Sequence, residues 1–189
     1  TRLPYTFILA LGSMILSCVV GIPLGITAAV NQNKLSDRIS MLIALIGVSM
    51  PQFWVGLLLV LLFSVHLGIL PPSGVGSWKH FVIPIIATSL GGIATQARLV
   101  RSSMLDVIRA DYVTTARAKG VSKFAAVYKH ALPNALIPVI TQVGTSFGKT
   151  LGGTIVIESV FGIPGIGNYM ISAVNNRDYP VVRGSVVFL

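Results

Sequence analysis

Charge is scarce in this chain, and acid is scarcer still: only 5 Asp and Glu stand among 189 residues, against 14 Lys and Arg, and charged residues make up 10% of the whole. Hydrophobic residues account for 53%, so there is too little polar surface to clothe a soluble globule, and lipid is the solvent expected for most of the chain. Cysteine is nearly absent. The single Cys18 has no partner for an internal disulfide and reads as a small buried hydrophobe within an apolar run. His66, His80 and His130 are isolated in sequence, and without converging His, Cys, Asp or Glu no metal site is read. Paired catalytic polar residues are lacking too, which argues against an intramembrane enzyme or a hydrolase. The net charge of +9 would suit nucleic acid, but seven of the 14 cations fall between Arg98 and Lys129 without the aromatic interleaving that single-strand binding uses. Nucleic acid is therefore not an expected partner.

What is present is a series of long uncharged runs. Residues 7–30 can cross a hydrocarbon core of about 30 Å, and residues 39–65 form a second run in which Pro51 should kink or interrupt the helix. Residues 66–80 carry Pro71, Pro72, Gly74 and Gly76 and read as a turn-rich surface loop, with Trp78 as an interfacial anchor. A third span is expected over about 81–100, continuing as helix beyond the membrane, and a fourth over 134–157. Residues 158–179 read as another loop, in which Glu158 and Asp178 are expected to partner Arg177 or Arg183. A fifth span begins at about 180. The chain starts at Thr1 without an initiator Met or a signal peptide and stops nine residues into that last run, so a fragment carrying one transmembrane domain over 1–189 is expected.

Orientation follows from the cations. Lys and Arg number two in 31–38, one in 66–80, seven in 98–133 and one in 158–180, so the positive-inside rule puts 31–38 and 98–133 in the cytoplasm. Small residues recur at four-residue spacing on two spans, Gly21 and Gly25 on one and Gly144, Gly148 and Gly152 on another, which marks faces for close helix packing.

Within the longest polar segment, Gly120 suits a left-handed helix stop, and Ser122 can cap a following helix. On that helix Phe124, Val127, Tyr128 and Ala131 make an apolar stripe beside Lys123 and Lys129. It has three possible homes: its own bundle, the lipid interface or another protein.

Two lysine features need weighing. Residues 144–150, Gly-Thr-Ser-Phe-Gly-Lys-Thr, fall one residue short of a phosphate loop and sit inside a span with no preceding strand, so nucleotide binding is not expected there. Lys149 itself is costly in lipid, about 2.5–3.5 kcal/mol at a helix centre on insertion scales. It should line an aqueous translocation pathway or pair with a carboxylate in the bundle.

The segment Thr114-Thr115-Ala116, then Gly120, His130 and Leu132-Pro133 keeps the spacing of the "EAA" loop of ABC-importer permeases, matching four positions of seven. Residues 47–54 (Gly-Val-Ser-Met-Pro-Gln-Phe-Trp), 161–167 (Phe-Gly-Ile-Pro-Gly-Ile-Gly) and 176–182 (Asn-Arg-Asp-Tyr-Pro-Val-Val) also resemble the dipeptide, oligopeptide and nickel branch of that family. The Glu of the pattern is Thr114 here, which removes the ion pair a Glu would offer an ATPase. The resemblance implies an all-α polytopic transmembrane helical bundle in a bacterial or archaeal inner membrane, with a cytoplasmic coupling-helix loop at 103–133. In that loop Thr114, Thr115, Ala116, Gly120, Ser122, Phe124, Leu132 and Pro133 would serve the coupling.

The implied partners are two cytoplasmic ATPase subunits that bind ATP and Mg, a sister permease and an external solute-binding protein. No cofactor is implied on this chain, and no enzyme activity. Short peptides are the expected cargo, nickel or a metal chelate the alternative. An ion-coupled carrier or channel is the rival from another class.

Overall fold

The computed structural model describes residues 2–188, and among them no strand occurs. Helix α1 (Leu3–Val30) is followed by α2 (Leu35–Ser49) and α3 (Gln52–Val60), the last continued by a π-helical segment, Leu61–His66. Helix α4 (Val82–Ile108) leads to α5 (Asp111–Ala118). Then come α6 (Lys123–Ala125), the π-helical segment Ala126–Ala131 and α7 (Leu132–Ala135), and after them α8 (Ile137–Gly153), α9 (Ile155–Val160), α10 (Ile166–Asn175) and α11 (Tyr179–Phe188).

Among the described residues two stretches are long and apolar enough to cross a membrane, Leu3–Val30 and Trp78–Ile108. The pair Leu35–Ser49 and Gln52–His66 would supply a third if taken as one span, but it bends by 98° at the break. Pro51 sits at that break in extended conformation as the N-cap of α3, because its ring cannot continue the preceding helix. The outward faces are as apolar as the core: Val19, Leu35, Leu42 and Ile140 are all exposed, and only 28% of the most apolar window of α1 is buried. In water such a surface would drive aggregation, and in lipid it is at no disadvantage.

The chain divides into two compact units. One comprises residues 17–49 and 91–144. Its core gathers Ile26, Ala29, Val100, Met104, Val127, Ala135 and Val139. Gly21 and Gly25 let α1 lie directly on α4: a methyl on Gly25 would come within 2.6 Å of the Ala97 carbonyl oxygen and of Val100 Cβ. This is the close backbone approach that small residues allow. The other unit comprises residues 1–16, 50–90 and 145–189. Its core gathers Leu9, Ile83, Ala87, Ile157, Phe161 and Ile163. The Phe161 ring lies against Gly56, and the Phe161 carbonyl accepts the Gly74 N–H at 2.9 Å, which ties the 66–80 loop down.

The stretch 158–179, expected as a loop, contains α10. Its helix is held by tertiary contacts rather than by an apolar run: Gly167 and Ala173 are its buried residues, and Glu158 caps its start.

Candidate functional site

The polar segment after α4 folds as a small helical elbow. Helix α4 runs on to Ile108, carrying its last turns beyond the apolar stretch, and α5 turns back after Ala110. Gly120 stands at φ +90°, where a side chain would be strained, and closes α5 by donating its N–H to the Arg117 carbonyl at 3.0 Å. Ser122 then caps the next helix, its Oγ accepting the Ala125 N–H at 3.3 Å. Val113 packs with Ala126 and Ala131 against Val107, Ile108 and Val121, giving the elbow a core of its own.

The apolar stripe is split. The π-helical segment, with the Leu132 N–H reaching the Val127 carbonyl, changes the angular spacing of the side chains, so Val127 and Ala131 turn inward and are buried. Phe124 is 71% exposed and Tyr128 is exposed as well, and the two rings pair with centroids 4.4 Å apart. Half the stripe therefore belongs to the elbow's own core, and half stands on the outside. Thr114, Thr115, Gly120, Ser122 and Pro133 are also exposed, while Ala116 and Leu132 are half-buried. The sequence-derived loop residues thus lie on one folded elbow.

Two contacts that sequence reasoning missed hold the base of this elbow. Asp37, 3% exposed, accepts from Arg101 Nε at 2.6 Å and from an Arg101 terminal nitrogen at 2.8 Å, while the Asn33 N–H donates to it at 2.9 Å. The Arg101 hydrogen bonds hold the Asp37 carboxyl below its ordinary range against the opposing effect of burial, with the Asn33 amide helping. Arg109 donates to the Gln32 side-chain oxygen at 2.9 Å. The 31–38 segment is thereby pinned to the end of α4. The available signal was the placing of one of five acids among cations in that short segment.

In the other unit, Glu158 is fully buried. Its Oε1 accepts from Thr6 Oγ1 at 2.6 Å and Thr154 Oγ1 at 3.2 Å, and its Oε2 accepts the Asn168 N–H at 2.9 Å. Thr6 Oγ1 in turn accepts the Ile166 N–H. A methyl on Gly165 would overlap the Glu158 carboxyl group, which accounts for glycine there. The expected partnership with Arg177 or Arg183 is corrected: Glu158 orders the α9–α10 turn through hydroxyls and an amide. Asp178 accepts the Val181 N–H at 3.3 Å at the start of α11. Hydroxyls and backbone amides satisfy these acids, and charge counting cannot reveal that.

Lys149 lies exposed on α8, and among the described residues it has no carboxylate partner, the one ion pair being Arg101 with Asp37. The intrachain pairing left open as an alternative is not made. Gly144, Gly148 and Gly152 meet no neighbour: a methyl on any of them would find nothing within 4 Å. Among the described residues these three make no close helix contact, whereas Gly21 and Gly25 on α1 do. Among the described residues no group of three His, Cys, Asp or Glu could hold a metal ion.

A helical chain with uncovered apolar helices, a pair of them bent at a proline, and a braced polar elbow is the architecture of a helical membrane protein. Residues 21–189 match the family described as binding-protein-dependent transport system inner membrane component, and the chain belongs to that family. It is 45% identical over 187 residues to the glutathione transport system permease protein GsiC of Escherichia coli K12, covering 99% of this chain and 61% of that protein. It is 46% identical over 182 residues to the corresponding protein of Salmonella typhi, covering 96% and 60%. The chain thus spans about three-fifths of the length of the curated relatives it matches. Among solved structures, an inward-facing form of the MetNI methionine ABC transporter aligns with a TM-score of 0.76 at 19% identity, over 97% of this chain and 86% of that one. An amino acid ABC transporter solved with histidines aligns at 0.74 and 17%, over 99% and 83%. These two likenesses concern the fold.

Proposed function

We propose that this chain is the membrane-spanning part of an ATP-driven importer that moves short peptides across a bacterial inner membrane by alternating access. ATP and Mg are held by partner ATPase subunits in the cytoplasm, an external binding protein delivers the cargo, and a sister permease completes the pathway. The observation that carries the reading is the elbow of residues 103–133. It has its own apolar core, it is tied to segment 31–38 by Arg109 with Gln32 while Arg101 with Asp37 fixes the end of α4 from which it springs, and it holds Phe124 and Tyr128 outward. A stiff element with an exposed aromatic pair suits docking in a cleft of another protein and passing its motion to the helices.

In this reading Thr114, Thr115, Ala116, Gly120, Ser122, Phe124, Leu132 and Pro133 form or support the coupling surface, and Lys149 lines the pathway. The unoccupied glycine face of α8 at Gly144, Gly148 and Gly152 would meet the sister permease. A peptide cargo is supported by the likeness to relatives named for glutathione, itself a peptide.

The test is disulfide crosslinking in the assembled importer. With Cys18→Ala as background, cysteine introduced at Ala118 or Ser122 should crosslink to cysteines lining the ATPase cleft, with a yield that changes with nucleotide. No crosslink in any nucleotide state would overturn the coupling assignment.

A further inference from the structure

In the unit formed by residues 17–49 and 91–144, helix α2 is amphipathic in the inverted sense of a helix that faces lipid. Asp37, Ser40 and Ala44 are its buried residues, while Leu35, Ile39, Leu42 and Leu45 are exposed. Two cations stand at its start. Lys34 and Arg38 are both exposed, and the Arg38 N–H donates to the Lys34 carbonyl at 3.2 Å, so the two residues are one helical turn apart. At about 100° per residue, Lys34, Arg38, Leu42 and Leu45 fall within about 80° of one another around the helix axis. One exposed strip therefore runs from two positive charges into leucine.

Lys and Arg at the inner end of a span are the ordinary signature of topology. Two observations give this pair more to do. First, the only acid of segment 31–38 is Asp37, which is turned inward and held by Arg101 Nε at 2.6 Å and by an Arg101 terminal nitrogen at 2.8 Å. Among the described residues neither Lys34 nor Arg38 enters an ion pair, the one pair being Arg101 with Asp37. Second, the surface that continues from the two cations is apolar and open. At 1.5 Å per residue it runs about 10 Å from Arg38 to Leu45, enough to follow much of an acyl chain within one leaflet, whose hydrocarbon is about 15 Å deep. Positive charge at one end of an apolar strip is the complement of a phospholipid with an anionic head.

We propose that Lys34, Arg38, Leu42 and Leu45 form a binding site for an acidic phospholipid of the cytoplasmic leaflet. The planar Arg38 guanidinium meets the headgroup phosphate, the Lys34 ammonium adds a second positive charge beside it, and the two leucines take an acyl chain. The lipid ties the start of α2 to the membrane surface. Because Asp37 on the inner face joins the same turn to Arg101, the lipid also steadies the end of α4 from which the elbow springs. The proposal rests on the orientation that puts 31–38 in the cytoplasm.

The experiment uses the whole importer, freed of its other cysteines, in proteoliposomes at low salt. Leu42→Cys carries a bimane fluorophore, and the quenchers are phosphatidylglycerol and phosphatidylcholine with a nitroxide on one acyl chain. Val19, exposed on α1 of the same unit and without a cation beside it, supplies the comparison as Val19→Cys. Phosphatidylglycerol should quench at position 42 at a lower mole fraction than phosphatidylcholine, and the two should quench alike at position 19. Each of Lys34→Gln and Arg38→Gln should lower the preference at position 42 by up to about fivefold, the effect of one cation at an anionic surface, and the double variant should abolish it.

Equal quenching by the two lipids at position 42, the same preference at position 19, or a preference that survives the double variant would each overturn the site. Absence of quenching by either lipid at position 42 would mean that another subunit covers the strip, and would overturn it too. If the double variant does not assemble, either single variant decides, an undiminished preference being the contrary result. Both leaflets of the vesicles hold the labelled lipid, so quenching reports the site whichever way 31–38 faces. Reaction of Lys34→Cys with an impermeant maleimide in right-side-out vesicles would refute the leaflet assignment by itself, and an importer that accumulates no peptide would count against the function proposed above and not against the site.

Discussion

Arg101→Met should be among the most damaging single changes in the unit built from residues 17–49 and 91–144. It removes both side-chain hydrogen bonds to Asp37 and leaves a carboxylate that is 3% exposed with only the Asn33 amide. Orphaning one member of a buried ion pair costs about 3–5 kcal/mol; the lower end, about 3 kcal/mol, applies because the Arg101 side chain is 26% exposed and one donor remains. For a chain of this size that is a fall of about 6–12 °C in Tm, measurable in detergent by thermal unfolding. Asp37→Leu combined with Arg101→Met replaces the pair by apolar side chains and should recover much of the loss.

The pair also has a pH signature. Because the folded Asp37 carboxyl titrates below its ordinary range, its contribution is fully present above the unfolded value of about 4 and is lost as pH falls through the lower, folded value. Stability should therefore be insensitive to this pair between pH 5 and 7, on the scale of these values, and should drop in acid, with Arg101→Met abolishing that acid-dependent part. A single variant no less stable than the parent, or a double variant that is worse than the single, would refute the reasoning.

Gly25→Ala should cost about 1–3 kcal/mol in thermal unfolding by forcing α1 off α4, whereas Gly148→Ala should leave the isolated chain within about 0.5 kcal/mol of the parent. Equal effects would contradict the packing described. Thr6→Val removes a donor to Glu158 and the acceptor of the Ile166 N–H, and should lower local stability by about 2 kcal/mol, read as faster amide exchange at Ile166; unchanged exchange would contradict the role given to that network. Gly120→Val places a β-branched side chain at φ +90°, a strain of about 1–3 kcal/mol, and should expose the α5–α6 turn to protease, with unchanged cleavage as the contrary result.

Local features were legible in the sequence because their causes are local. The uncharged run 7–30 falls within α1, Pro51 stands where the second run breaks, and Gly120 and Ser122 form the stop and start that their chemistry implies. What escaped depends on residues far apart in the chain. Asp37 and Arg101 are 64 positions apart, and Thr6 and Glu158 are 152. Helix α10 escaped because it is short and begins in a glycine-rich turn, and its start is satisfied by Glu158 and Thr6 rather than by a cap within its own sequence. The stripe from Phe124 to Ala131 was read at regular helical spacing, but the π-helical segment shifts that spacing and divides it between the elbow's core and its outside. The glycines of α8 have the same four-residue spacing as Gly21 and Gly25 yet no neighbour in this chain, since spacing marks a face fit for close approach without saying which chain approaches.

The most direct test of the coupling account is the side of the membrane on which the elbow lies. With Cys18→Ala as background, Ser122→Cys should react with a membrane-impermeant maleimide in inside-out vesicles stripped of ATPase, stay unreactive in right-side-out vesicles, and be shielded when the ATPase is added back. Reaction from the right-side-out face would contradict the account.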